Sequence, residues 1–129
     1  MVGRFLALVL MAGAFGGAAQ AQDRAASQRQ ALVDLAYVIG QSHALRQVCT
    51  GAGDQFWRGR MMRLLQTEAP DAAFERRLKE AFNTGFVAAQ QAFPACDAQS
   101  RREQVQAAAR GRTLSIALGR ATADEETAR

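Results

Sequence analysis

The side chains with the widest chemical reach are His43, the sole histidine, Arg46, Trp57, the sole tryptophan, the arginines Arg58, Arg60 and Arg63, then Glu68 and Asn83. An imidazole near a guanidinium could hold an anion or move a proton. Structural zinc requires about four nitrogen or sulfur ligands, which one histidine cannot complete once the two cysteines are assigned elsewhere. His43 with Met61 or Met62 would form a haem ligand pair, but methionine is ordinary filler in helical cores, and the missing C-x-x-C-H rules out covalent haem. Glu68 stands at the end of an apolar stripe. It would be a perturbed acid if buried, and an ion pair with Arg76 or Arg77 across a tight turn is the simpler reading. No Ser-His-acid set and no glycine-rich phosphate loop occurs. The expectation is a protein without catalytic residues, cofactor or metal.

These groups need elements to position them. Phe74, Leu78, Phe82, Phe86 and Phe93 recur mostly one helical turn apart, which predicts an amphipathic helix and the spine of the core. Upstream, Leu32, Leu35 and Ile39 lie on one line and Val38, Leu45 and Cys49 on the next, a helix over residues 28–49. The two glycines of residues 50–54 end it, and Asp54 is placed to cap a second helix over residues 55–68, striped by Trp57, Met61, Leu64 and Leu65. Pro70 stops that helix, Asp71 caps the next, and Pro94 closes it. Asp97 or Ser100 can cap a fourth helix to about Arg120, with the weakest apolar face, after which residues 122–129 read as a flexible polar tail. No useful β alternation occurs. The fold class is therefore all-α, a small antiparallel four-helix bundle over residues 22–121.

If each link reverses the chain, the ends of helices one and three meet at one pole, which brings Cys49 beside Cys96. A structural disulfide is expected there; a redox pair would call for C-x-x-C spacing. At about 1.5 Å per residue, Gly40 and Gly85 lie at matching depth below that pole. Either the two helices approach closely at this level or something fills the notch, and close packing is the simpler reading. A notch would make a small pocket near Gly40, His43, Trp57 and Gly85.

The N-terminus reads as an export signal. Arg4 is followed by an apolar run over residues 5–15, and Ala19-Gln20-Ala21 offers small residues at the cleavage positions. The run is far shorter than the roughly 20 residues of a membrane span, so cleavage after Ala21 and a periplasmic address are expected, with no stable membrane anchor. Of the formal charge of +4, removing residues 1–21 takes only Arg4, leaving +3. No basic arm suits nucleic acid, and a mildly positive surface accommodates an anionic envelope component or protein.

The succession Ile39-Gly40, His43-x-Leu45-Arg46, Cys49-x-Gly51, Trp57-Arg58, Met61, Glu68-Ala69-Pro70, Phe82-Asn83-x-Gly85-Phe86 and Cys96 resembles a family of small, exported, uncharacterised alphaproteobacterial proteins. The resemblance spans roughly Leu32 to Arg120. Thr84 and Phe86 stand where that family usually has Arg and Tyr, so the polar groups beside Gly85 are missing here. The resemblance implies the export address and the bridge and leaves function open. The residue reading is a non-catalytic contact module acting through Arg58, Arg60, Arg63 and Trp57 on a protein or envelope partner, with the small-ligand pocket as the alternative.

Overall fold

A computed structural model of the chain describes the backbone of residues 17–129 and the side chains from residue 26 onward. The described residues form four helices joined by short links, with no strand: α1 (Gly17–Thr50), α2 (Phe56–Glu68), α3 (Ala72–Ala92) and α4 (Ala98–Thr127). The expected export signal lies outside the described residues, apart from the backbone of residues 17–21, which belongs to α1.

Local chemistry sets the helix ends. The Asp71 carboxylate accepts from the Phe74 amide at 2.8 Å, and Asp97 with Ser100 forms a reciprocal capping box. Asp54 differs from its expected role. It stands one residue before the N-cap Gln55, accepts from the Phe56 amide at 3.0 Å, and also takes Arg46 Nε at 2.7 Å and Thr50 Oγ1 at 3.0 Å. At the far end of α2, Ala69 adopts a left-handed conformation (φ 41°) ahead of Pro70, and its amide still closes on the Leu65 carbonyl.

The hub of the core is α1, which corrects the expectation that residues 74–93 would be the spine. It packs broadly against α2, α3 and α4 in turn. Leu32, Leu35, Ala36 and Ile39 form one buried cluster with Met61, Phe74 and Leu78, while Ala44 and Leu45 form a second with Ala89 and Ala107. A strongly striped helix such as α3 has one wet face by construction; a helix covered on several sides shows no single stripe. Side-chain pairs between α1 and α3 ascend together, from Arg29 over the Phe74 ring, through Gln30 with Arg77, to Cys49 with Cys96 just beyond the end of α3. Pairs between α1 and α4 descend, from Gln28 with Glu125 to the Leu45 carbonyl with Gln104.

The matched glycines mark the α1–α3 crossing. A Cβ on Gly40 would overlap the Phe82 carbonyl, 2.8 Å from its carbon, and a Cβ on Gly85 would overlap the Tyr37 carbonyl, 2.9 Å from its carbon. The clash is with backbone on both sides, so neither helix can yield by turning a side chain. Close packing, and no notch, occupies this level. At the pole above, the sulfurs of Cys49 and Cys96 stand at disulfide-bonding distance with Cα atoms 4.9 Å apart. The fourth helix ends later than expected: α4 runs past Arg120 to Thr127, because no glycine or proline interrupts residues 120–127 and Glu125 accepts from Gln28 at 2.8 Å.

Candidate functional site

Being short and packed chiefly on α1, α2 leaves a cleft on each flank. Helical spacing divides its side chains: Trp57, Arg60, Leu64 and Thr67 turn to the α4 side, Arg58, Met61, Met62 and Leu65 to the α3 side.

The larger cleft, about 520 Å³, lies between α1, α2 and α4. Leu35, Val38 and Ile39 make its floor, and Ala107, Ala108 and Gly111 its α4 wall. Arg60, Arg63 and Arg112 border it, and no carboxylate is among the lining residues. Phe56 stacks edge-on against Trp57 at 5.2 Å and carries the Arg60 guanidinium over its ring at 5.2 Å. At floor level the Ser42 hydroxyl is buried and has no hydrogen-bond partner.

The smaller cleft, about 360 Å³, lies between α2 and α3 and contains His43, with Arg58, Lys79 and Asn83 at its polar positions. His43 is only 5% exposed, with Phe82 and Phe86 at centroid distances of 5.7 and 5.4 Å. Its Nδ1 is buried without a partner. Burial, and next the positive charge of Arg58, lower the imidazole pKa below its ordinary value, with Asp54 acting in opposition. The ring is therefore neutral at neutral pH, one nitrogen an acceptor and the other a donor.

The structure splits the constellation drawn from the sequence. His43, Asn83 and Arg58 meet in the α3-side cleft; Trp57, Arg60 and Arg63 meet in the α4-side cleft. Gly85 is buried in the helix crossing and lines neither cleft, so His43, Trp57 and Gly85 do not share the lining of one cleft. Arg46 turns away to Asp54 and lies 4.7 Å over the Phe56 ring. Its hydrogen bond, followed by the Phe56 amide, holds the Asp54 carboxyl below the usual carboxylate range. Glu68 is exposed and the ion pair expected with Arg76 or Arg77 is absent among the described residues, since Arg77 instead donates to Gln30 at 2.9 Å.

The family comparison follows the same boundaries. The model of the family described as Protein of unknown function (DUF2385) matches residues 28–121. The chain belongs to this family. Its matched span holds both clefts, both glycines of the crossing and both cysteines. Neither a curated protein nor a solved structure matches the chain.

Sequence reasoning missed Arg112, Lys79, Phe56 and Ser42. Arg112 belongs to the weakly striped α4, whose facing could not be fixed from periodicity. Ser42 did leave a signal, as a polar residue inside the apolar stretch of α1.

Proposed function

We propose that this DUF2385 chain is a non-catalytic helical contact module of the periplasm, exported by a signal cleaved after Ala21, that docks an anionic protein or envelope partner along α2. The observation that carries this reading is the larger cleft, where three guanidiniums border an apolar floor with no lining carboxylate to neutralise them. The address is supported by the Cys49–Cys96 pair, which suits an oxidising compartment. It is compatible with the finding that no helix among the described residues is long and apolar enough to cross a membrane. The bundle is read as antiparallel around α1, with α1 and α3 sharing one direction, as the ascending and descending side-chain pairs support. The non-catalytic reading is supported by Glu68, which is exposed and lines neither cleft.

The test has two arms. N-terminal sequencing of the protein released by osmotic shock should begin at Gln22. Chemical crosslinking in intact cells should give adducts that weaken when Arg60, Arg63 and Arg112 are replaced by alanine; unchanged adducts in that variant count against the reading.

A second reading, a small-ligand binder using the α3-side cleft, is favoured by the buried, unpartnered Nδ1 of His43. A ligand there would protect the protein against heat and lose that protection in His43→Phe.

A further inference from the structure

We propose that the cleft between α2 and α4 receives one long-chain carboxylate as a monomer, its hydrocarbon tail along the α1 floor and its head among the guanidiniums. This rests on the contact-module reading and names the ligand of that same face. At about 520 Å³ the space is in the range of ligand sites, about 300–1,000 Å³. Its floor is aliphatic, and Ala108 on the α4 side supplies no long side chain to fill it, while Ala107 is buried and Gly111 sits close over Val38 and Leu35. An apolar trough alone would fit many occupants. Charge selects among them: Arg60, Arg63 and Arg112 border the cleft without a lining carboxylate, and guanidiniums pair with carboxylates in bidentate fashion. Among the described residues, Arg63 and Arg112 have no carboxylate partner. A flat membrane surface would use the arginines and leave the trough empty, whereas a single chain with a charged end uses both.

Trp57 is the sole tryptophan and borders the cleft, so its fluorescence reports occupancy in the full mature chain. Dodecanoate, titrated below its micelle concentration, should shift Trp57 emission saturably, and the neutral analogue 1-dodecanol should bind about ten-fold more weakly, the equivalent of one lost charge-assisted hydrogen bond. Ala108→Phe should abolish the shift by filling the trough. Arg63→Glu with Arg112→Glu, at exposed positions where folding is undisturbed, should weaken dodecanoate by about ten-fold or more while changing dodecanol little.

Equal binding of dodecanoate and dodecanol, or a shift that survives the arginine variant, overturns the proposal. So does co-sedimentation with phosphatidylglycerol vesicles that Ala108→Phe leaves intact while dodecanoate gives no saturable shift. If dodecanoate fails but the in-cell adducts still depend on the arginines, the ligand is wrong and the contact-module reading stands.

Discussion

His43 is held neutral by its surroundings, and that has a consequence for stability. Because burial and Arg58 lower its folded pKa, the unfolded chain takes up a proton near pH 6.5 while the folded chain resists it to lower pH. Unfolding therefore binds a proton in that window, and stability falls as pH falls from about 6.5 toward the depressed folded value. Thermal midpoints measured from pH 7.5 to 5 should decline, and His43→Phe should flatten the decline; an identical slope in the variant would show that folding does not lower the pKa of the ring. Asp54 acts elsewhere on the scale. Its carboxyl is held low by Arg46 and the Phe56 amide, so its contribution is present above about pH 4 and disappears only on stronger acidification. The two effects are separable by pH. His43 and Arg46 could be picked out as chemically interesting by residue type alone, yet their partners could not: Arg46 is claimed by Asp54 eight residues on, a loop contact that no periodicity encodes.

At the scale of elements, the α1–α3 crossing is the sharpest feature. Gly40→Ala should destabilise by about 3 kcal/mol, since the added carbon meets a partner backbone that cannot move aside. Gly59→Ala is the matching control. It lies in α2 with nothing near an added Cβ, so helix propensity alone should stabilise by about 1 kcal/mol. Denaturant midpoints moving the same way for both variants would contradict the crossing. Helix number and most ends were legible because they depend on local chemistry: Pro70 and Pro94 stop, Asp71 and Asp97 start. The level of the two glycines was also legible, by counting residues back from the cysteine pole. The role of α1 was not, because burial on several sides erases the one-sided stripe that periodicity detects, and α3 looked central for the very reason that it is half exposed. The end of α4 was misjudged because a polar segment without an apolar face can continue a helix whose earlier turns are packed, here anchored by Gln28 to Glu125.

For the whole molecule, the bridge and the clefts are complementary parts of one design. Closing a loop of 47 residues by Cys49–Cys96 removes unfolded-state entropy worth about 4 kcal/mol on the chain-entropy model. In a domain of this size that is a large share of total stability. Replacing both cysteines by alanine should lower unfolding stability by about 2–4 kcal/mol without relocating the α1–α3 crossing, as read from denaturant unfolding and from Gly40→Ala in the same background. With α1 and α3 joined by their glycine contact and sulfur link, α2 adds Met61 to the core and leaves a cleft on each flank. That division was only partly legible. The arginines of α2 were visible as a surface set, but their division between two clefts depends on where α4 and α3 lie, and Arg112 enters from an element whose facing the sequence left undetermined.

The central claim is that the arginine-bordered cleft between α2 and α4 is the face that meets a partner. A photoreactive residue placed at Thr67, on that cleft, and separately at Glu80, exposed on α3, compares the two faces in living cells. Adducts at Thr67 that vanish when Arg63→Glu and Arg112→Glu are added, with none at Glu80, are the predicted result. Adducts at Thr67 indifferent to those charges, or confined to Glu80, would contradict it.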